Sequence, residues 1–207
     1  MKPVIDYRVY LVTDTVYFND SNVWNKLEAA LAGGVTLVQY RDKTASSRTL
    51  YERALKMKVL CDKYRVPMLV DDRADIAFAV GAAGVHVGQD DLPPEQARRI
   101  LGADAIIGVS AHNAEEARLA EAASADYLGC GAVYATSTKK DTSVIGTEGL
   151  KAIHAATVLP FVGIGGITLA NYQSVLKAGA DGAAIVSAIL GAEDIKGTVQ
   201  KFVQLSL

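Results

Sequence analysis

Gln39, Arg41 and Lys43 alternate along the stretch Val38-Gln39-Tyr40-Arg41-Asp42-Lys43, directly after the apolar run Gly34-Val35-Thr36-Leu37. If the chain stays extended, this spacing turns all three side chains to one side. Three polar groups, two of them cationic, just past a strand's carboxyl end suit an anion better than a packed core. Asp71-Asp72 and Asp90-Asp91 are the acidic counterpart, each pair closing a short apolar run. Carboxylates gathered in one spot repel one another unless a cation intervenes. Hard oxygen ligands with no cysteine beside them favour Mg²⁺ over Zn²⁺. The competing reading is that each pair caps the helix that follows. Thr136-Ser137-Thr138-Lys139-Lys140-Asp141 combines hydroxyls and cations without aromatics, a composition able to wrap a phosphate as a mobile cover. Gly163-Ile164-Gly165-Gly166-Ile167 and Val186-Ser187 offer backbone N–H groups of the kind that hold phosphate at a helix start. His112 follows Ser110 closely and is a candidate base. His86 lies in a strand pattern and reads as structural, and His154 falls mid-helix. No Ser-His-Asp or Cys-His set can be assembled.

These groups need elements to position them. Periodicity predicts strands over 7–13, in the run that carries Gln39, and over 67–70, 84–88, 105–109, 126–131, 159–164 and 182–186. Helices are expected over 23–32 behind an Asp20-Ser21-Asn22 cap, from Ser46 or Ser47 to 64, and over 75–80. Further helices are expected from Pro93-Pro94 onward, over 113–123, 150–156 and 168–178, and as one last helix reaching 205. Eight strands alternating with eight helices predict a parallel sheet closed as a (β/α)8 TIM barrel, a single domain over 1–207. An open doubly wound sheet is the runner-up, but its glycine fingerprint is missing after the first strand. Small-residue quartets, Ala32-Gly33-Gly34-Val35, Ala82-Ala83-Gly84-Val85, Ala123-Ser124-Ala125-Asp126 and Ala178-Gly179-Ala180-Asp181, lead into every second strand, as duplicated βαβα pieces would. In a barrel all the polar clusters gather at one mouth, whereas the opposite strand ends are small or aliphatic. That asymmetry points to an enzyme.

Composition narrows the partners. The chain has 207 residues, half of them apolar, and a net charge of −2 with pI near 5.9. Neither nucleic acid nor a membrane surface is an expected partner, so an anion site must come from placement. Cys61 and Cys130 have no metal-like spacing and read as buried thiols. No basic-then-apolar leader opens the chain and no apolar run is long enough to span a bilayer, which predicts a soluble, cytoplasmic protein. A homo-oligomer is compatible with the sequence, which leaves the number of subunits open. The residues alone thus predict a divalent cation and two anion sites on opposite sides of one mouth, hence a phosphate or diphosphate small-molecule substrate, one or two of them.

The clusters resemble the thiamine phosphate synthase family over nearly the whole chain. The matching pieces are Tyr10-Leu11-Val12-Thr13-Asp14, Gln39-Tyr40-Arg41-Asp42-Lys43, Val87-Gly88-Gln89-Asp90-Asp91, Gly108-Val109-Ser110-Ala111-His112, Thr136-Ser137-Thr138-Lys139-Lys140-Asp141 and Val162-Gly163-Ile164-Gly165-Gly166-Ile167. The resemblance implies that a hydroxymethylpyrimidine diphosphate and a thiazole phosphate join to give thiamine phosphate and pyrophosphate. It implies that Gln39, Arg41, Lys43, Ser110 and Lys139 hold the pyrimidine diphosphate and that Asp72 and Asp91 bind Mg²⁺. Thr136 and Thr138 would approach the thiazole phosphate, with contacts from Gly165, Val186 and Ser187. Asp71 stands where the family usually has a diphosphate-binding Asn, so its carboxylate must be protonated, turned away or recruited to the metal. Ala132 stands where the family commonly has proline, which is expected to loosen the start of the 136–146 loop. The nearest alternative is a thiazole tautomerase-like homologue with His112 as base; another is a silent thiazole phosphate-binding barrel.

Overall fold

Short aliphatic runs separated by amphipathic segments have one compact solution when all the strands run parallel. The computed structural model describes residues 2–136 and 143–207. Its strands are β1 (Val9–Val12), β2 (Leu37–Tyr40), β3 (Met68–Asp71), β4 (Gly84–Val87), β5 (Ile106–Ala111), β6 (Tyr127–Gly131), β7 (Phe161–Ile164) and β8 (Gly182–Ile185). They pair in chain order, and β8 closes on β1, which makes the sheet a barrel and excludes the open alternative. The helices are α1 (Val23–Gly33), α2 (Ser47–Lys63), α3 (Ala74–Val80), α4 (Pro94–Leu101), α5 (Ala114–Ala122), α6 (Gly146–His154), α7 (Tyr172–Lys177), α8 (Ser187–Leu190) and α9 (Ile195–Leu205). No described helix is long and apolar enough to cross a membrane.

Alternation along each strand sorts the core. Tyr10, Val12, Leu37, Leu69, Ile106, Tyr127, Val162 and Ala184 pack together in the barrel interior. Their neighbours, such as Val9, Leu11, Val38, Val70, Val85 and Leu128, pack outward under the helices with Leu27, Met57 and Phe202. Cys61 and Cys130 are buried free thiols, and burial pushes Cys61 up to about 12.

Local chemistry explains where the elements depart from the expected spans. Asn22 makes no side-chain cap on α1; Asp20 instead accepts from Asn22 N at 2.8 Å. Asp14 caps an unexpected 3₁₀ turn over Thr15–Asn19. Asn171 Oδ1 takes Thr168 N at 2.8 Å, which delays α7 to Tyr172. The single expected last helix is two, because α8 stops at Gly191 and α9 restarts where Asp194 accepts from Gly197 N at 2.9 Å.

The internal repeat has a sharper form than the quartets. A positive-φ residue stands three positions before each even-numbered strand: Gly34, Gly81, Ser124 and Gly179 before Leu37, Gly84, Tyr127 and Gly182. Two positions after three of these turns, a side-chain oxygen accepts a backbone N–H near the start of the preceding odd strand. The pairs are Thr36 with Val9 N (3.0 Å), Asp126 with Ile107 N (2.8 Å) and Asp181 with Phe161 N (2.9 Å). Asp126 also pairs with Arg98 at 2.6 Å and Lys2 at 2.5 Å. Asp126→Ala is therefore expected to cost about 1–3 kcal/mol in urea unfolding. Burial opposes ionisation of Asp126, but Lys2, Arg98 and the Ile107 N–H outweigh it and hold the carboxyl below its ordinary 3.8. Its contribution is present above that pH and lost as pH falls, so the stability gap to Asp126→Ala should narrow on acidification.

Candidate active site

Beyond β2 the chain stays extended because Thr13 and Thr15 bind it from the neighbouring strand end. Thr13 Oγ1 accepts from Arg41 N at 2.8 Å and donates to Arg41 O at 3.0 Å, and Thr15 Oγ1 accepts from Lys43 N at 2.9 Å. Alternation then survives: Gln39, Arg41 and Lys43 all line one pocket at the mouth. Asp42, between them, turns to the outer layer, where Arg53 of α2 meets it at 2.5 Å. Arg53 in turn stacks over Phe18 at 5.0 Å. Asp42 is thus a buried anchor that keeps the two cations facing inward.

Beside them, at the ends of the adjoining strands β3 and β4, lie Asp71, Asp72 and Asp91, which line the same pocket. Asp72 has φ of +57°, a conformation Asp tolerates, and its N–H continues the ladder to His86 O at 2.8 Å. Asp91 accepts from Gly88 N at 2.9 Å and approaches Asp72 within hydrogen-bonding reach. Asp90 is exposed and does not line the pocket, so three carboxylates converge where four were expected. The capping alternative fails as well: Arg73 and Pro93 occupy the N-cap positions of α3 and α4 without a side-chain cap.

The cations beyond β2 and the carboxylates beyond β3 are in contact. The Lys43 ammonium hydrogen-bonds Asp72 and lies 3.1 Å from Asp71 Oδ2. Arg41 pairs with Asp14, and its Nε lies 3.5 Å from Asp71 Oδ2. Asp71 is therefore not turned away. Its Oδ2 is buried beside two cations yet has no donor aimed at it. Burial raises Asp71 above the usual carboxylate range, against the pull of Lys43 and Arg41. Burial and then the Asp71 charge push Asp72 up to about 6, with Lys43 opposing. Burial works against the Lys43 charge, but Asp71 and Asp72 outweigh it and raise its pKa. No group of three or more His, Cys, Asp or Glu among the described residues is arranged to hold a metal ion. Asp72 and Asp91 alone can supply two hard oxygen ligands, a set that suits a cation keeping water and substrate oxygens in its shell.

A buried polar row runs from β2 to β5 through the barrel. Gln39 Nε2 donates to Tyr10 Oη at 2.7 Å, Tyr10 Oη meets Tyr127 Oη at 2.8 Å, and Tyr127 Oη meets His86 Nδ1 at 2.9 Å. His86 Nε2 ends the row at Ser110 Oγ, 3.0 Å away. Glycines make the slot for it: a Cβ on Gly108 would lie 2.2 Å from the Tyr127 ring, and one on Gly129 2.8 Å from the His86 ring. Sequence reasoning missed the part played by Tyr10 and Tyr127, although their inward strand parity was available there. Gln89 Nε2 fixes the other side of Ser110 through its carbonyl at 2.6 Å.

Thr136, Gly165, Val186 and Ser187 line the same pocket, with Gly166 and Ile167. Gly165 and Gly166 have positive φ, and a Cβ on Gly166 would meet Ala135 O at 2.5 Å, so this crossing requires glycine. Ala132 does not loosen the loop start: Val133 N binds Ile164 O at 2.8 Å, and Ile145 N binds Ala132 O at 2.8 Å. Thr138 and Lys139 lie outside the described residues. His112 also reaches the pocket, its Nδ1 2.8 Å from Glu116 Oε2. The pocket opens to solvent at the mouth, and the empty space within and above it amounts to about 1120 Å³.

With this geometry in view, the chain matches the family model described as thiamine monophosphate synthase over residues 9–189. It is 47% identical over 205 residues to the thiamine-phosphate synthase of Ruminiclostridium cellulolyticum, covering 99% of this chain and 98% of that one. It is 48% identical over 192 residues to the thiamine-phosphate synthase of Clostridium acetobutylicum, covering 93% and 91%. The solved thiamine phosphate pyrophosphorylase from Pyrococcus furiosus superposes with a TM-score of 0.88 at 39% identity, covering 97% of this chain and 96% of that one.

Proposed function

The chain belongs to the thiamine monophosphate synthase family and is a transferase, and from that premise we propose that it joins a hydroxymethylpyrimidine diphosphate to a thiazole phosphate, releasing pyrophosphate. The observation that carries this reading is the single mouth at which Gln39, Arg41 and Lys43 face Asp71, Asp72 and Asp91. The methylene carbon–oxygen bond breaks with its electron pair leaving on pyrophosphate, and the thiazole nitrogen lone pair then bonds to that carbon. No protein nucleophile is needed: Ser110 Oγ does lie 3.0 Å from His86 Nε2 in the pocket, but the other nitrogen of His86 meets the Tyr127 hydroxyl and not a carboxylate, so the two are members of a polar row and do not form a hydrolase triad. What the protein must supply is position and charge.

In this reading Arg41, Lys43 and Lys139 neutralise the departing diphosphate, while Gln39 and Ser110 orient the pyrimidine. Asp72 and Asp91 hold Mg²⁺, which when bound supplies the divalent positive charge that stabilises the leaving group. Lys43 spans Asp71 and Asp72; with Asp72 given to a cation, its ammonium would stay beside Asp71 and turn to the diphosphate. Asp71, buried against Arg41 and Lys43, acts by holding both cations in line, so its place in the diphosphate wall is indirect. Thr136 and Thr138, with backbone groups of Gly165, Val186 and Ser187, receive the thiazole phosphate on the far wall.

The test is pyrophosphate release followed with both substrates, each alone, and with Mg²⁺ present or chelated. Release is expected only with both substrates and Mg²⁺ together. Absence of release in Mg²⁺ would overturn the transfer reaction and leave a binding barrel.

A further inference from the structure

The hydrogen bonds from Gln39 to Ser110 must all run in one sense, and the Gln39 amide sets which. A tyrosine hydroxyl has one proton, and a neutral imidazole has one N–H and one bare nitrogen. Gln39 Nε2 donates to Tyr10 Oη, so the Tyr10 proton goes to Tyr127 Oη, 2.8 Å away. The Tyr127 proton then goes to His86 Nδ1, and His86 carries its own proton on Nε2, directed at Ser110 Oγ. Every link is satisfied by this one assignment. Inverting any single link leaves two protons or two lone pairs face to face in a buried space, where an unmade hydrogen bond is costly. Only a reversal of the whole row is equally satisfied, and that needs the Gln39 amide turned over and the His86 tautomer exchanged together.

The two ends of the row, Gln39 and Ser110, are the members the reaction places against the pyrimidine, and both line the pocket. In the direction set by Gln39 Nε2, the amide carbonyl of Gln39 is left for a ligand's N–H, and the Ser110 hydroxyl proton is left for a ligand's lone pair. The ends are therefore complementary to each other and coupled. The pocket offers one acceptor and one donor, with the acceptor on the β2 side.

We propose that Tyr10, Tyr127 and His86 are positioning residues that fix this polarity and thereby make the pocket selective for an aminopyrimidine, whose amino group donates and whose ring nitrogen accepts, over the corresponding oxo ring. The oxo ring presents the opposite pair, an accepting carbonyl and a donating ring N–H. It is bound only by reversing all five groups at once. The proposal rests on the reaction proposed above and adds to it what sets the ring specificity. Burial supports it independently: Tyr10 and Tyr127 are almost completely shielded, so water cannot patch a broken link.

The experiment measures kcat/KM for the amino and the oxo pyrimidine diphosphates in wild type, Tyr127→Phe and Tyr10→Phe, with thiazole phosphate and Mg²⁺ saturating. The ratio of the two values is independent of how much enzyme is folded, so a purely structural tyrosine leaves it unchanged. The expected result is a wild-type preference for the amino substrate that falls about tenfold or more in each variant, the equivalent of one hydrogen bond. An unchanged ratio in both variants overturns the proposal, while wild type that turns over neither substrate overturns the reaction itself. A second readout needs no variant: ¹⁵N resonances of His86 in the wild-type protein should report an Nε2–H tautomer with a bare Nδ1. An Nδ1–H tautomer or an imidazolium overturns the proposed direction.

Discussion

Arg41→Ala is expected to lower turnover by about two to three orders of magnitude, the scale found when one charge-stabilising donor is removed from a reaction centre. The measurement is kcat for pyrophosphate release at saturating substrates. In the proposed reaction the barrier lies in separating pyrophosphate from carbon, so a guanidinium at the leaving group would act mainly on the chemical step. Stability will not be untouched, since Arg41 also pairs with Asp14, whose side chain is 12% exposed. Stranding that carboxylate should cost about 1–3 kcal/mol in urea unfolding. The two effects separate in the double variant Asp14→Asn/Arg41→Ala. Removing both partners of a pair is far less harmful than removing one, so stability should return towards wild type. The substituted amide keeps a carbonyl oxygen able to accept from Val16 N, as Asp14 does at 3.2 Å. Turnover should stay low. Recovery of turnover along with stability would make Arg41 a structural residue.

Asp72→Asn is expected to lower turnover by about two orders of magnitude at fixed Mg²⁺ and to raise the Mg²⁺ concentration needed for half-maximal rate. Asn is the right replacement because position 72 has φ of +57°, which Asn shares with Asp at little strain, whereas Ala would confound the result with backbone cost. Asp71→Asn is the contrast. Its carboxylate is spent on Arg41 and Lys43, so Mg²⁺ half-saturation should stay where it is in wild type. A shift in Mg²⁺ dependence for Asp71→Asn but not for Asp72→Asn would exchange their roles. Both are read from pyrophosphate release against Mg²⁺ concentration.

The sequence by itself determined the alternation of strands and helices, because the periods of two and 3.6 residues are local properties of backbone and side-chain geometry. It also determined that Gln39, Arg41 and Lys43 share a face, since Asp42 and the Thr13 and Thr15 contacts only preserve an alternation already written there. Barrel closure and the convergence of the polar strand ends followed from the same local signals taken in order, and the family from the resemblance that the spaced motifs carry. Tertiary structure decided the rest. No local pattern says which member of an acidic pair lines the pocket: Asp72, at φ of +57°, does, whereas Asp90 is exposed to solvent. Nor does any local pattern say that Lys43 will rest on Asp71 and Asp72 of the adjoining strand end. Tyr10 and Tyr127 stand 117 residues apart in the chain and share a hydrogen bond at 2.8 Å. Only closure of the eight strands brings their inward faces together, and only the missing side chains of Gly108 and Gly129 leave room for them to meet His86. Long-range contacts of this kind depend on which volumes are left empty as well as on which groups are present, and empty volume has no signature in a single stretch of sequence.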